Sequence, residues 1–259
     1  MIDIHCHILP GLDDGPDAFD EALQMAEAAI ADGITHVIAT PHANDMFSFE
    51  PARVHALREE LQARIGPRLE LGTGCDFRLN AENLEALKAD AQRFTLRQGS
   101  YLLVEFSEFA IPPGADQTLH ELQLAGLQPI VTHPERNAIL RERPEILARW
   151  VKLGCAAQVT AGALTGAFGS ASQRWAERWI ERGLIHFVAS DAHNTRGRPL
   201  RLRPAYQQVE KRFGEGVARA LFLENPRAAW DGRALPYVPE VADELTRPRR
   251  KRFFFFRAR

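Results

Sequence analysis

The chain opens with the run Ile2-Asp3-Ile4-His5-Cys6-His7, in which apolar residues lead directly into two histidines. Its alternating isoleucines predict a short buried β-strand. Because successive side chains of a strand point to opposite faces, His5 and His7 share one face and Cys6 occupies the other. Imidazoles at this spacing are suited to bind the same metal ion. This one stretch therefore predicts a metal site at the end of a buried strand.

The same pattern, a short apolar run and then a longer stretch with helical periodicity, occurs seven times along the 259 residues. Such alternation is typical of an α/β fold with parallel strands, arranged as an open sheet or as a barrel. Because no linker rich in Pro, Gly and Ser precedes residue 236, we predict a single domain over residues 1–240 and a tail over residues 241–259. The predicted strands are residues 2–7, 35–42, 69–77, 101–106, 129–133, 156–161 and 186–191, and the predicted helices are residues 17–32, 51–65, 80–89, 117–125, 143–153 and 172–182.

Histidines and carboxylates gather at or just beyond the C-terminal ends of these strands, where parallel α/β folds place their active sites. A single histidine in such a place is more often structural than functional, but a set that shares one face indicates a site. The histidines are His5, His7, His42, His133 and His193, and the carboxylates are Asp14, Asp76, Glu105 and Asp191. We predict that all nine are metal ligands.

The donor set indicates the kind of ion. Glu105 is the most informative carboxylate, because it ends an otherwise apolar strand, where a charge is costly to bury unless it is paired with an arginine or bound to a metal. Imidazoles and carboxylates without thiolates suit Mn, Fe, Co or Zn. Nine ligands are too many for one ion, so we predict two or three divalent ions. Such ions activate water and neutralise phosphate oxygens, which favours hydrolysis of a phosphoester.

Two arginines follow the predicted ligands. Arg136 ends the run His133-Pro134-Glu135-Arg136, and Arg198 lies shortly after Asp191-Ala192-His193-Asn194. A guanidinium group binds phosphate oxygens in a bidentate fork and does not compete for metal. We predict that both arginines bind the phosphate in the active site, with Arg196 as an alternative to Arg198.

Two phenylalanines follow strands on the same side of the predicted fold. Phe47 comes after the second strand and Phe109 after the fourth. Aromatic side chains at the mouth of a cavity would shelter a phenyl ring and favour aryl phosphates over sugar phosphates. Local core packing is an equally good explanation of both residues.

Charge and hydropathy limit the cellular context. The net charge is −2, yet residues 247–259 hold seven Lys and Arg and no acid, so the rest of the chain is distinctly acidic and disfavours binding to nucleic acid. The first strand begins directly after Met1 and no apolar run reaches the roughly 18 residues of a membrane span, which predicts a cytoplasmic protein. The basic and aromatic tail is either disordered or docks at the inner face of the membrane.

The opening motif carries a family resemblance. Residues 1–15, MIDIHCHILPGLDDG, resemble the start of the bacterial PHP-type (polymerase and histidinol phosphatase) tyrosine-protein phosphatases of capsular and exopolysaccharide operons. Three further motifs of that family follow in the same order: Ala39-Thr40-Pro41-His42, Thr132-His133-Pro134-Glu135-Arg136 and Ser190-Asp191-Ala192-His193-Asn194. The resemblance covers about residues 1–235.

The resemblance implies a distorted seven-stranded β/α barrel of the PHP type with three ions, usually manganese. The substrate it implies is phosphotyrosine on the cytoplasmic tail of a membrane-anchored autokinase that controls polysaccharide chain length, with the phosphate bound by Arg136 and Arg198. The implied ligand groups are His5, His7, Asp76 and Asp191 for one ion, Asp76, Glu105 and His133 for a second, and Asp14, His42 and His193 for a third.

One position departs from the family pattern. The family commonly has Glu where this chain has Asp76, in Gly74-Cys75-Asp76, and the Asp side chain is shorter by about 1.5 Å. Asp76 can bridge two ions only if the backbone lies closer to them. Three other functions stay open: a small-molecule phosphatase of the histidinol phosphatase type, a PHP nuclease, which the acidic body disfavours, and a non-catalytic scaffold.

Overall fold

The structure is a computed structural model and describes residues 1–242. In this part of the chain the strands are β1 (Ile2–Cys6), β2 (His36–Ala39), β3 (His42–Ala43), β4 (Glu70–Thr73), β5 (Asp76–Arg78), β6 (Tyr101–Glu105), β7 (Gln128–Thr132), β8 (Ala156–Thr160) and β9 (Phe187–Ala189). The predicted tail, residues 241–259, lies outside the described residues except for its first two.

Helices separate most of these strands. The α-helices are α1 (Phe19–Asp32), α2 (Pro51–Ile65), α3 (Ala81–Ala89), α4 (Ala115–Leu124), α5 (Ala138–Glu142), α6 (Pro144–Lys152), α7 (Ala161–Leu164), α8 (Gly169–Glu181), α9 (Arg203–Phe213), α10 (Glu215–Arg219) and α11 (Asn225–Trp230), with a π-helix at Ala220–Glu224. The six predicted helices are all present, whereas α5, α7 and α9 to α11 were not predicted. Among the described residues, no helix is long and apolar enough to cross a membrane.

All strand pairs are parallel and form two sheets, in the orders β1-β2-β4 and β3-β5-β6-β7-β8-β9. The predicted α/β class with parallel strands is confirmed. The predicted count of seven strands is wrong, because the second and third predicted strands are each divided into two. Their first halves share a sheet with β1, in which β2 pairs with both β1 and β4, whereas their second halves, β3 and β5, join the sheet of β6.

Each of the two breaks contains a residue with special backbone properties. Pro41 lies between β2 and β3 and has no N–H to donate to a neighbouring strand. Gly74 lies between β4 and β5, where a Cβ atom would come within 2.7 Å of Leu96 Cδ2. A further contact links the two sheets, since the His7 N–H donates to Ala192 O over 2.9 Å and the Asp191 N–H donates to His5 O over 2.9 Å.

Each face of the central strands is buried against a different apolar cluster. In β6, Leu102 and Val104 belong to the larger cluster, which includes Trp150 of α6, whereas Leu103 belongs to a smaller one. Glu105 ends β6 two residues after Leu103, on the same face. The strands therefore place apolar side chains along this face and a carboxylate at its C-terminal end.

His186 is a buried histidine just before β9, at the end of the sheet opposite to Glu105. It is 3% exposed, and its Nδ1 accepts a hydrogen bond from the Ala157 N–H over 3.3 Å. Burial lowers the pKa of His186 to about 4. His186 binds a proton near pH 6.5 in the unfolded chain but only near pH 4 in the folded chain. The free energy of unfolding therefore falls as the pH falls from about 6.5 to about 4.

We expect the free energy of unfolding to fall by about 2 kcal/mol between pH 7 and pH 5 because of His186 alone. Urea unfolding of the wild type and of His186→Asn at both pH values measures this share as a difference in pH dependence. The exposed His120 supplies the control, since His120→Asn should keep the wild-type dependence. Equal pH dependence in wild type and His186→Asn would show that His186 is not buried as a neutral group.

Candidate metal centre

The C-terminal end of β1 brings two histidines together, His5 within the strand and His7 directly after it. The register with β2 shifts between Asp3 and Cys6, so the alternation of side chains changes there. Ile4 accordingly lies in the smaller apolar cluster and Cys6 in the larger one. The imidazoles of His5 and His7 nevertheless turn toward the same space. Their Nε2 atoms are 3.4 Å apart. The predicted shared face of the two imidazoles is confirmed.

Two carboxylates reach this space from neighbouring strands. Asp76 begins β5, is fully buried, and places Oδ2 3.5 Å from His5 Nε2 and 3.1 Å from His42 Nδ1. His42 and Asp76 are direct register partners of β3 and β5, which explains their approach. Glu105 ends β6, with Oε2 3.9 Å from His42 Nδ1 and Oε1 3.8 Å from His133 Nε2.

Asp14 and His193 complete the outer part of the cluster. Asp14 Oδ1 lies 3.4 Å from His42 Nε2 and 3.2 Å from His193 Nε2. The rings of His7 and His193 also approach each other, with centroids 3.9 Å apart. The Asp14 side chain is 52% exposed, so this part of the cluster is open to solvent.

His133 and Asp191 take an unusual backbone conformation. Their φ angles are 31° and 52°, in the left-handed region that residues other than glycine rarely adopt. Such strain costs roughly 1–3 kcal/mol per residue and is often found at functional sites. Both residues follow a strand directly or closely, and the turn directs their side chains into the cluster. Asp191 Oδ1 lies 3.4 Å from His5 Nε2 and 3.5 Å from His7 Nε2.

The nine residues predicted as ligands thus lie together. Within the described chain, three groups place one donor atom of each member within 4.8 Å of the others: His7, Asp14, His42 and His193; His5, His7 and Asp76; and His42, Asp76 and Glu105. These groups differ in part from those that the family resemblance implies. His42 rather than His133 joins Asp76 and Glu105, while His133 and Asp191 border the groups.

Unsatisfied polar atoms show that the cluster fits cations. Among the described residues, buried atoms without a hydrogen-bond partner include His42 Nδ1, His193 Nε2 and both carboxylate oxygens of Asp76. Although His42 Nδ1 and Asp76 Oδ2 are 3.1 Å apart, they form no hydrogen bond. Buried polar atoms normally have hydrogen-bond partners. A metal ion bound between these atoms would serve as the missing partner.

The pKa values show the same excess of donors. Burial opposes charge on His5, but the carboxylates of Asp76 and Asp191 outweigh it and raise its pKa to about 9. Burial likewise opposes charge on His42, where Asp14 and Asp76 prevail and raise the pKa to about 11. Protons on these imidazoles balance the buried carboxylates, and a bound cation would displace them.

Burial keeps other groups of the cluster neutral or only partly charged near pH 7. Burial lowers the pKa of His133 to about 3, and burial together with His7 lowers that of His193 to about 4. Burial and then the Asp76 charge raise the pKa of Glu105 to about 7. Neutral imidazoles are the form that binds metal, so His133 and His193 are ready to do so at neutral pH.

The arginines predicted to bind phosphate form one wall of a cleft above the cluster. Arg136 Nη1 donates to Asp191 Oδ2 over 3.0 Å, its Nε donates to Glu108 Oε1 over 2.8 Å, and Arg198 Nη2 also donates to Asp191 Oδ2. The cleft has a volume of about 320 Å³. Arg196 is exposed and does not line it, which favours Arg198 over Arg196 as the second arginine of the cleft.

Both predicted phenylalanines line the same cleft. Phe47 stacks on the ring of His42, with centroids 6.1 Å apart and an angle of 11° between the planes. Phe109 is 78% exposed, so core packing does not explain it. Met46, 80% exposed, adds a further apolar side chain to the lining.

Several supporting residues were missed by the sequence analysis. Gln158 Oε1 lies 2.9 Å from His5 Nδ1, Asp13 Oδ2 lies 2.6 Å from His7 Nδ1, and Arg78 Nε donates to Glu105 Oε2 over 2.9 Å. A buried Gln within β8 was a signal that could have been noticed, because it needs a polar partner. Arg78 was anticipated only as an unnamed arginine paired with Glu105.

Comparison with known proteins supports this description. A family model for capsular polysaccharide synthesis proteins, CpsB/CapC, matches residues 1–230. The chain is 41% identical over 218 residues to the tyrosine-protein phosphatase YwqE of Bacillus subtilis, which covers 83% of this chain and 85% of that protein. It is also 33% identical over 242 residues to the putative tyrosine-protein phosphatase CapC of Staphylococcus aureus. That match covers 88% of this chain and 92% of CapC.

Solved structures agree with the sequence comparisons. One structure comes from a study of YwqE from Bacillus subtilis and CpsB from Streptococcus pneumoniae, which are described there as metal-dependent tyrosine phosphatases. It superimposes on this chain with a TM-score of 0.87 at 37% sequence identity, and the match covers 93% of this chain and 99% of that one. Histidinol phosphate phosphatase from Lactococcus lactis shares the fold alone, with a TM-score of 0.54 at 14% identity and coverage of 86% and 95%. The family model spans most of the sequence, and this chain belongs to the CpsB/CapC family of capsular polysaccharide synthesis proteins.

Proposed function

We propose that this chain is a metal-dependent protein-tyrosine phosphatase that acts on a membrane-associated tyrosine kinase of capsule or exopolysaccharide synthesis. The observation that carries the proposal is the cluster of imidazoles and carboxylates at the base of a cleft that Arg136 and Arg198 also line. The names of the relatives YwqE and CapC support phosphotyrosine as the substrate. The role of the family in capsular polysaccharide synthesis supports a kinase of that process as the partner.

The nine clustered side chains are proposed to hold two or three divalent ions, with manganese the first candidate and Fe, Co or Zn as alternatives. The unpaired atoms of His42, Asp76 and His193 support more than one ion, since together these residues represent all three groups of the cluster. Such ions, when bound, neutralise phosphate oxygens and make a water molecule more acidic. We also infer that the two sheets close into one distorted barrel, because β1 contacts the segment after β9.

The protein's own part in the reaction is to bind and orient the phosphate. Arg136 and Arg198 both approach Asp191 Oδ2, so their guanidinium groups converge on one side of the cleft. Hydrolysis adds water to phosphorus and breaks the bond to the tyrosine oxygen, giving tyrosine and inorganic phosphate. Fixed positive charge beside the phosphate stabilises the charge that spreads over its oxygens during this step.

Phe47 and Phe109 are proposed to hold the phenyl ring of the substrate. Phe47 is anchored by its stacking on His42, whereas Phe109 extends from the loop after β6. An exposed phenylalanine gains little in the free protein, but it would bury apolar surface against an aromatic substrate. This rim favours phosphotyrosine over phosphoserine, whose side chain carries no ring.

The first test is hydrolysis of a phosphotyrosine peptide, a phosphoserine peptide and histidinol phosphate by metal-stripped protein resupplied with Mn, Fe, Co or Zn. We expect metal-dependent release of phosphate from phosphotyrosine, lost in His5→Ala. Activity on histidinol phosphate alone would overturn the proposed substrate and keep the metal site. Inactivity with every metal would favour a non-catalytic scaffold.

The aromatic rim is tested in the same assay with Phe109→Ala. We expect the KM for the phosphotyrosine peptide to rise several-fold, while slow hydrolysis of a small alkyl phosphate stays unchanged. Leu124→Ala is the matched control, since Leu124 is 75% exposed and does not line the cleft. An equal effect of Phe109→Ala on both substrates would remove Phe109 from ring recognition.

The arginines are tested with charge-conserving changes. Arg136→Lys and Arg198→Lys should each lower kcat/KM for the phosphotyrosine peptide by about 10- to 100-fold, because lysine offers a point charge instead of a fork. Arg196→Lys, at an exposed position outside the cleft, should change it little. A comparable loss in all three variants would point to a general effect of surface charge.

Peripheral binding to the membrane through the basic and aromatic tail is a further part of the proposal. Each Lys or Arg near an anionic surface contributes about 1 kcal/mol, and the four consecutive phenylalanines would enter the interface. We expect co-sedimentation with vesicles that contain anionic lipids, lost when residues 247–259 are deleted. Unchanged sedimentation of the deletion variant would remove the tail from this role.

A further inference from the structure

The adjacent residues Asp13 and Asp14 face different partners. Asp14 is half exposed and reaches His42 and His193 in the outer part of the cluster. The side chain of Asp13 is fully buried, and its Oδ2 lies 2.6 Å from His7 Nδ1. Consecutive carboxylates in one turn thus divide between the cluster and the protein behind it.

The oxygens of Asp13 are occupied by hydrogen bonds from the protein. Oδ2 contacts His7 Nδ1 and also accepts the backbone N–H of His42 over 2.9 Å, while Oδ1 accepts the N–H of Gly15 over 3.0 Å. Two hydrogen bonds use both lone pairs of Oδ2. Asp13 therefore ties together the loop after β1 and the start of β3, which carry His7 and His42.

The turn is pressed against His7 so closely that only glycine fits after Asp14. A Cβ atom at Gly15 would lie 2.5 Å from the carbonyl oxygen of His7 and 3.2 Å from its Cβ. Atoms at that distance repel strongly, so any other residue would move the turn away. The contact between Asp13 and His7 is therefore set by the backbone and not only by the two side chains.

This contact decides which nitrogen of His7 faces the cluster. A carboxylate at Nδ1 holds the ring proton there and leaves the lone pair of Nε2 free. Nε2 lies 3.4 Å from His5 Nε2, and His7 is a member of two of the three donor groups. His5 differs, because its Nδ1 faces the neutral amide oxygen of Gln158.

We propose that Asp13 is a positioning residue that holds His7 and His42 in place for metal binding, and that it is not itself a ligand. A charged partner behind His7 makes its imidazole a stronger donor than one backed by an amide. The proposal rests on the metal site of the proposed function, but it does not depend on the identity of the substrate.

The test is binding of Mn²⁺ to the metal-stripped full chain, with free Mn²⁺ measured by electron paramagnetic resonance. Asp13→Asn should bind as many ions as the wild type at saturation, with an affinity about 10- to 100-fold weaker. Asp14→Asn should instead bind fewer ions, because it removes a proposed ligand. Asp20→Asn, at an exposed position in α1, should match the wild type.

Two results would overturn the inference: wild-type affinity in Asp13→Asn would show that the contact does not matter, and a lost ion would make Asp13 a ligand. Circular dichroism of the metal-stripped variants checks that they fold. If Asp13→Asn does not fold, Gly15→Ala moves the turn away from His7 and should weaken Mn²⁺ binding in the same way. Because Mn²⁺ binding is measured directly, the effect of Asp13→Asn can be interpreted even if the protein proves not to be a phosphatase.

Discussion

The structure depends most on one constraint, the burial of the Asp76 carboxylate. Asp76 is fully buried, and neither of its oxygens has a hydrogen-bond partner among the described residues. Burial disfavours its charge, yet His5 and His42 outweigh that effect and hold the pKa of Asp76 well below its usual range. A carboxylate kept ionised in such a place requires positive charge beside it. The surrounding side chains meet that requirement in part, and divalent ions would meet it fully.

The fold brings the necessary groups together at some cost. Splitting two of the predicted strands lets β3 and β5 leave the first sheet and place His42 beside Asp76. Left-handed backbone at His133 and Asp191 then turns two more donors inward. A sequence selected for stability alone would not place this many buried polar groups at one edge of its sheets. Bound metal would offset this cost, since a ligand that binds only the folded chain stabilises it.

Much of this was predictable because the informative signals are local. Strand periodicity indicated the α/β class, and the spacing of His5 and His7 within one short strand indicated their shared face. Position at strand ends was enough to select nine side chains that converge, although their binding of metal stays a prediction. The family resemblance, confirmed by the comparisons, rested on short motifs of the same kind.

What the sequence did not reveal depends on contacts distant along the chain. The breaks at Pro41 and Gly74 divide two predicted strands between two sheets. The other members of those sheets lie far away along the chain, so a single run of residues does not show this pairing. The role of Asp13 was hidden because two adjacent aspartates look alike until the turn is folded. The regrouping of His42 with Glu105, in place of His133, likewise depends on register between strands.

Anomalous scattering from crystals grown with Mn²⁺ would reveal whether this cluster is a multi-ion metal centre. We expect two or three anomalous peaks bounded by the three donor groups, with one of them in contact with Asp76. Peaks confined to the protein surface, with Asp76 in contact with protein atoms or water alone, would contradict it.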